Sequence, residues 1–262
     1  MDKREYKAVG KKKVLLVEDV EMNQFLAKCI MESWDFEVDI ANNGFEALGR
    51  LEKSLYDIIL MDIQMPEMDG IESARRIRAL PDPVKSSIPI IALTANAMQD
   101  ERNIYADAGM NDCLAKPFAE KNLFEIIRKH LPATEMPVPE PEETDTDPQV
   151  KTYNLSLLHS LSGGDEDFVR RMLTLFLETM PVSMKEMLAA NEKGDWISVG
   201  NLAHKMKSII DSMAITGAKN LIRELENNGR HQINTELIPD QVSLVIKELD
   251  QCMADVKADF GL

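Results

Sequence analysis

The chain has 262 residues, of which 44% are hydrophobic and 29% charged, and a formal net charge of −15. This composition is typical of globular domains and leaves room for two of them. The acidic balance disfavours nucleic acid as a partner, and without an apolar run of roughly 20 residues we expect a cytoplasmic protein with no direct membrane contact. Cys29, Cys113 and Cys252 lie in apolar periodic segments, which predicts buried free thiols rather than disulfides.

Changes of composition divide the sequence into four segments. Residues 1–12 form a basic leader, and residues 133–151 are rich in proline and acids and lack apolar periodicity. The second of these compositions predicts an extended, self-repelling linker. It would separate a domain at 13–132 from a second domain at 152–262.

The first domain alternates short β-rich runs with amphipathic helical stretches. The runs are 14–17, 36–40, 57–61, 88–93 and 112–115, and the helical stretches lie near 22–33, 43–53, 70–79, 98–108 and 119–130. Runs this apolar are typical of strands buried on both faces. The domain is therefore expected to be α/β, with a five-stranded parallel sheet covered by helices on both sides.

Polar residues follow the ends of the predicted strands, namely Glu18, Asp19, Asp62, Thr94 and Lys116. Because the carboxyl ends of parallel strands meet at one edge of a sheet, these side chains are expected to form one site. Clustered carboxylates repel one another unless a cation joins them, and their oxygens suit Mg²⁺, for which Mn²⁺ could substitute. Beside such a metal, Asp62 could attack a phosphoryl group while Lys116 and Thr94 contact its oxygens.

Four motifs of this domain resemble response-regulator receiver domains, namely VLLVEDVEMN, ILMDIQMPEMDG, IIALTANA and GMNDCLAKPF. The resemblance implies a flavodoxin-like fold in which Asp62 is the phosphoacceptor. It also implies that Asp19, Asp62 and the backbone carbonyl of Gln64 hold Mg²⁺. Glu18 would help to bind the metal through water.

The segment around Lys116 follows the receiver pattern with one departure. The resemblance implies that Thr94 is the switch hydroxyl, that Lys116 pairs with the phosphoryl group and that the Lys116-Pro117 bond is cis. The family usually has Tyr or Phe three residues before the lysine, where this chain has Cys113. A small thiol cannot swing inward as an aromatic ring does. This favours a receiver that serves as an intermediate in a phosphorelay over one that drives an output domain.

The second domain is predicted to be a bundle of α-helices. Asp165, which follows Gly163-Gly164, is expected to start its first long helix. Pro181 should kink or break that helix, because the proline ring opposes the carbonyl of Leu177.

Three further helices are predicted in this domain. Asp195 is the expected N-cap of the first, which carries an apolar face at helical spacing. The next helix should lie near 216–227 and end at the turn signal Asn228-Gly229, and the last should run from about 239 to 258.

His204 lies off the apolar face of the helix that follows Asp195. Gly200 and Ser208 are one turn to either side, and Lys207 is three residues on. An exposed imidazole in this setting would present a neutral nitrogen nucleophile to a partner's active site, and Lys207 could offset the charge of an attached phosphoryl group.

The motifs LAHKMKS, GAKNLIRELE and GGDEDFVRRMLTLFLETMP resemble histidine phosphotransfer domains. The family usually has Gly four residues after the histidine, where this chain has Ser208, which is also small. The resemblance implies that His204 accepts and donates phosphate, while a receiver partner supplies the acids and Mg²⁺.

A receiver domain followed by a phosphotransfer domain predicts a phosphorelay. Phosphate would pass from an upstream histidine kinase to Asp62, then to His204, and to or from the aspartate of a downstream response-regulator receiver domain. Because no nucleotide-binding kinase core is visible in the sequence, we expect either a stand-alone relay protein or the C-terminal piece of a hybrid sensor histidine kinase. The second case would tether the chain to a membrane.

Two other functions stay open at the level of sequence. In a phosphorylation-controlled binding switch, phosphate on Asp62 would alter docking of the helical domain, and His204 would be inert. An aspartyl-phosphate phosphatase would need a second catalytic Asp two residues after the nucleophile, where Gln64 stands.

Overall fold

The computed structural model describes residues 10–94, 99–131, 152–156, 158–159 and 165–262. The chain divides into two compact units between Pro141 and Glu142. The predicted linker, most of the predicted leader and Gly163-Gly164 lie outside the described residues. No described helix has the length and apolar character that a membrane crossing requires.

The first unit contains a sheet of five parallel strands. The strands are β1 (Lys13–Val17), β2 (Glu37–Ala41), β3 (Ile58–Asp62), β4 (Ile90–Thr94) and β5 (Asp112–Ala115). They lie in the order β2-β1-β3-β4-β5, and every neighbouring pair is parallel. All residues of β3 and β4 are buried, which explains why these strands read as unbroken apolar runs. The predicted five-stranded parallel sheet is confirmed.

Helices connect these strands. They are α1 (Glu21–Ser33), α2 (Gly44–Lys53), α3 (Gly70–Arg78), α4 (Pro83–Ser86), α5 (Gln99–Asp107) and α6 (Glu120–His130). The five predicted helical stretches match five of these helices to within one residue at each end. The short helix α4 was not predicted, because a single turn capped by Asp82 is too short to show apolar periodicity.

The second unit is helical, as predicted. Its elements are α7 (Glu166–Glu192), α8 (Trp196–Ser212), α9 (Thr216–His231), a 3₁₀ turn (Thr235–Leu237) and α10 (Ile238–Phe260). Helices α8 and α10 each pack against both α7 and α9. The predicted helix start at Asp165 and the predicted N-cap at Asp195 are confirmed. Asp165 accepts from the backbone N–H groups of Asp167 and Phe168, and Asp195 accepts from that of Ser198.

Of the two effects predicted for Pro181, a kink or a break, the break is wrong, because α7 continues through the proline. Pro181 is exposed, while its neighbours Met180 and Met184 are buried. Burial of apolar side chains on both sides of the proline keeps the helix intact.

The predicted helix end at Asn228-Gly229 is also wrong, because α9 runs on to His231. Gly229 and Gly200 lie face to face where α9 crosses α8. A Cβ on Gly229 would lie 2.6 Å from the carbonyl oxygen of Trp196, and a Cβ on Gly200 would lie 2.5 Å from the backbone nitrogen of Arg230. The two glycines therefore allow a close approach of the helices rather than a turn.

Replacing Gly200 by alanine is expected to destabilise the second unit by about 1–3 kcal/mol. Alanine would normally favour a helix interior by up to about 1 kcal/mol, but its methyl group would force α8 and α9 apart. The free energy of unfolding can be measured by calorimetry, which separates the transitions of the two units. Gly49→Ala is the matched control, because a Cβ on Gly49 of α2 meets nothing within 4 Å. A Gly200→Ala chain as stable as wild type would contradict the close packing.

Candidate functional site

The strand ends bring the first group of predicted site residues to one edge of the sheet. Asp62, the last residue of β3, pairs with Leu93 of β4. Thr94, which follows Leu93 in β4, pairs with Ala115, the last residue of β5. Lys116 comes directly after Ala115. The backbone N–H of Lys116 donates to the carbonyl of Thr94 at 2.7 Å, which continues the pairing beyond the strands.

Three carboxylates meet at this edge. One oxygen from each of Glu18, Asp19 and Asp62 lies within 4.8 Å of the other two. Glu18 is 1% exposed and Asp62 is 5% exposed, whereas Asp19 is half-buried. Buried like charges are unfavourable unless a cation lies among them, and hard carboxylate oxygens with access to water are ligands that Mg²⁺ prefers. The cluster therefore fits a magnesium ion.

Lys116 bridges two of the carboxylates. Its ammonium nitrogen lies 2.5 Å from Oε2 of Glu18 and 2.8 Å from Oδ2 of Asp62. The other oxygen of Glu18 accepts from the side-chain amide of Asn23 at 3.0 Å and from the backbone N–H of Val20 at 3.2 Å. Both oxygens of the buried Glu18 are thus satisfied, and the lysine is held next to Oδ2 of Asp62.

Burial and charge shift the pKa values of this pair. Burial raises the pKa of the Glu18 carboxyl to about 7, a shift that the charge of Lys116 opposes and that of Asp62 increases. Burial alone would lower the pKa of the Lys116 ammonium, but the charges of Glu18 and Asp62 outweigh it and raise this pKa above its ordinary value. The lysine therefore stays charged at neutral pH, and a divalent cation among the carboxylates would favour ionised Glu18.

The loop after β3 fixes the position of Asp62. Its Oδ1 accepts from the backbone N–H of Gln64 at 3.3 Å. Gly70, the first residue of α3, donates its N–H to the carbonyl of Ile63, and a Cβ at this position would lie 2.1 Å from the carbonyl oxygen of Asp62. Only a glycine lets α3 begin so close to the strand end. Sequence reasoning gave Gly70 no role, although it closes the motif that contains Asp62.

The hydroxyl of Thr94 has a partner that the sequence did not suggest. Thr94 Oγ1 lies 3.0 Å from the hydroxyl of Tyr105 in α5, and both residues are buried. Cys113, at the position where the family usually has an aromatic residue, is buried as well. The Lys116-Pro117 bond is cis, as predicted.

A second site surrounds His204 in α8. Its Nδ1 lies 2.5 Å from Oε1 of Glu226 in α9, and Nζ of Lys207 lies 2.5 Å from Oε2 of the same carboxylate. Arg230 is 3.6 Å from Oε1. Burial alone would raise the pKa of Glu226, but the hydrogen bonds from His204 and Lys207 outweigh it and lower this pKa to about 2.

The contact with Glu226 determines which nitrogen of His204 carries the lone pair. A carboxylate that is ionised at neutral pH can only accept hydrogen bonds, so Nδ1 of His204 must carry a proton. In the neutral imidazole, the lone pair then belongs to Nε2. Glu226 therefore selects the tautomer whose lone pair lies on Nε2.

One expectation about the surroundings of His204 is wrong. The imidazole is not freely exposed, because its side chain retains 12% of its accessible surface. Gly200, one turn before it, is buried against α9. Glu226 was missed because it lies on another helix. The sequence did contain one signal for it: Glu226 lies one helical turn after Ile222, which is buried, at the edge of the apolar face of α9.

Two family models match the chain, one in each unit. Residues 14–128 match the model of the response regulator receiver domain, and residues 171–259 match that of the Hpt domain. The chain therefore contains a receiver domain followed by a histidine phosphotransfer domain, the combination found in phosphorelay proteins of two-component systems.

The chain is also similar to longer bacterial signalling proteins. The signal transduction histidine-protein kinase BarA of Escherichia coli (strain K12) is 28% identical over 256 residues, which cover 95% of this chain and 27% of BarA. The sensor protein GacS of Pseudomonas syringae pv. syringae is 30% identical over 199 residues, which cover 74% of this chain and 22% of GacS. The chain thus spans about a quarter of the length of these curated relatives. The domain pair supports a role in phosphorelay signal transduction.

A solved structure resembles the first domain. The receiver domain of sensor histidine kinase PA1611 from Pseudomonas aeruginosa PAO1, crystallised with a magnesium ion in its active site cleft, is 40% identical. The alignment covers 46% of this chain and 97% of that domain, with a TM-score of 0.42.

Proposed function

We propose that this chain carries out two steps of a phosphorelay, with Asp62 and His204 as its phosphoacceptors. Asp62 takes a phosphoryl group from the phosphohistidine of an upstream histidine kinase, and His204 exchanges it with the aspartate of a response-regulator receiver domain. The observation that supports this function best is the presence of two complementary sites in one chain. One is a carboxylate held between further acids and a lysine, and the other is an imidazole held by an ionised glutamate.

In the first step, a carboxylate oxygen of Asp62 attacks the phosphorus of the donor. A P–O bond forms while the P–N bond breaks, and the electron pair of that bond stays on the imidazole nitrogen of the donor histidine. Lys116 is already 2.8 Å from Asp62, so it can pair with a phosphoryl oxygen with little movement. The hydroxyl of Thr94 donates to another oxygen of the group.

The acids at this edge fit Mg²⁺, and Mn²⁺ could take its place. Glu18, Asp19, Asp62 and the backbone carbonyl of Gln64 would hold the ion. When bound, it supplies positive charge that neutralises the phosphoryl oxygens and the crowded carboxylates. The role of this chain is to keep the ligands ionised, oriented and partly shielded from water.

In the second step, Nε2 of His204 attacks the phosphorus of an aspartyl phosphate. A P–N bond forms, the P–O bond breaks, and the leaving group is a carboxylate. Nδ1 keeps its proton, so the phosphorylated ring is an imidazolium next to the Glu226 carboxylate. Lys207 lies on the same carboxylate and can turn towards the phosphoryl oxygens. The acids and the metal for this step come from the receiver domain that docks on His204.

The partners follow from this chemistry. An upstream histidine kinase would phosphorylate Asp62, and a downstream receiver domain would exchange phosphate with His204. We place these steps in the cytoplasm, in a chain that corresponds to the C-terminal part of a hybrid sensor kinase or acts as a separate relay protein.

Phosphate tracing tests the proposed function. The purified chain is incubated with radiolabelled acetyl phosphate and Mg²⁺, and the label is sorted by stability, since an acyl phosphate survives acid and a phosphohistidine survives base. We expect acid-stable label first and base-stable label later. Excess EDTA should lower both by at least about 100-fold, because the carboxylates then repel the phosphoryl group. Label that forms equally well in EDTA would contradict the role of the metal site.

A further inference from the structure

The pair formed by Thr94 and Tyr105 links the phosphoacceptor edge of the sheet to helix α5. Thr94 is 5% exposed and Tyr105 is 6% exposed, and their hydroxyl oxygens are 3.0 Å apart. A hydroxyl buried to this extent cannot exchange its protein partner for bulk water without a local opening. The hydrogen bond therefore belongs to the buried interior of the site.

Each of the two hydroxyls can act as the donor in this bond. Each hydroxyl has a single proton, and the phenol is the more acidic of the two and the better donor. When Tyr105 donates, the oxygen of Thr94 accepts, and the threonine can direct its own proton elsewhere. A phosphoryl group on Asp62 would be the acceptor, because Thr94 directly follows Leu93, the partner of Asp62 in the sheet.

The position of Cys113 explains why the aromatic hydroxyl comes from a helix here. Cys113 pairs with Ala92 in the sheet, and it packs with Tyr105 and Met110 in one apolar cluster. Tyr105 and Cys113 also line the same cavity of about 130 Å³. The small thiol thus leaves room beside the ring of Tyr105, into which the ring can shift when Thr94 changes its hydrogen bonds.

We propose that Tyr105 is a positioning residue that orients the hydroxyl of Thr94 towards a phosphoryl group on Asp62 and thereby couples phosphorylation to helix α5. The inference rests on the proposed function of Asp62 and Thr94. It gives this receiver a hydroxyl contact from α5 in place of an aromatic residue at position 113.

The test is a double-mutant cycle on the phosphorylation of Asp62. All chains carry His204→Gln, so that phosphate stays on Asp62, and the rate of labelling by acetyl phosphate with Mg²⁺ is measured. Tyr105→Phe keeps the ring and removes only the hydroxyl, and it should slow labelling about 3- to 10-fold. In a Thr94→Val background the same change should have no further effect, because the residue through which Tyr105 acts is gone. In a Thr94→Ser background, which keeps the hydroxyl, the effect of Tyr105→Phe should return.

Tyr56→Phe is the matched control. The hydroxyl of Tyr56 donates to Asp39 at 2.7 Å, so this variant also loses a tyrosine hydrogen bond but leaves Thr94 unchanged. It should label at the rate of the parent chain. Urea unfolding of each variant shows whether the labelled population is folded, and labelling rates are compared per folded molecule.

Two results would overturn the inference. One is a Tyr105→Phe chain that labels like its parent, and the other is a defect of the same size in the Thr94→Val background, which would indicate a structural role only. Failure of the proposed function looks different, because the parent chain itself would then take up no label that depends on Asp62.

Discussion

Asp62→Asn is expected to take up at least about 100-fold less acid-stable label from acetyl phosphate than the wild-type chain. The asparagine amide has nearly the same shape as the carboxylate but lacks the anionic oxygen that attacks phosphorus. It also removes one of the three charges of the acidic cluster, so Lys116 would remain with Glu18 alone. Base-stable label should fall as well, because Asp62 supplies the phosphate that reaches His204.

Asp35→Asn is the control for this prediction. Asp35 is exposed and has a φ of 68°, a conformation that asparagine adopts readily, so the variant makes the same change of charge without touching the site. It should label like wild type. Calorimetry of both variants separates a loss of chemistry from a loss of folding. Acid-stable label that persists in Asp62→Asn would mean that another carboxylate is the acceptor, which would contradict the assignment of Asp62 as the phosphoacceptor.

The receiver site could be predicted because its geometry follows from local pattern. Apolar runs identify parallel strands, and the carboxyl ends of parallel strands meet at one edge. Asp62, Thr94 and Lys116 were therefore expected to lie together, and the structure brings them together. The hydrogen bond between Tyr105 and Thr94 could not be predicted, because it depends on how α5 lies on the sheet rather than on the spacing of residues in one element.

The helical domain shows where local signals are overridden. Asn-Gly is a strong turn signal and proline a strong helix breaker, yet α9 runs through Gly229 and α7 runs through Pro181. In each case packing between helices decides the outcome, and packing partners are not visible in a single segment. Glu226 was missed for the same reason, since it meets His204 only after α8 and α9 have packed together.

His204→Gln is expected to abolish the base-stable label, with a loss of at least about 100-fold, while acid-stable label on Asp62 persists or accumulates. The amide of glutamine is not a nucleophile at phosphorus, so the second step stops. Glutamine is preferred to alanine because it can still donate to Glu226, which would otherwise lose one partner in a partly buried position. His231→Gln is the matched control, because His231 is exposed at the end of α9 and should leave both kinds of label unchanged.

The same variants separate a relay from a binding switch. Chains with His204→Gln, labelled on Asp62 and freed of acetyl phosphate, are mixed with unlabelled Asp62→Asn chains, whose only proposed acceptor is His204. Base-stable label should then appear on the Asp62→Asn chains, because Nε2 of an intact His204 can attack an aspartyl phosphate presented by another molecule. A switch in which His204 is inert predicts no transfer in this mixture and no base-stable label in the wild-type chain. Because the donor carries the only Asp62 and the acceptor the only His204, transferred label would establish the chemistry of both residues at once.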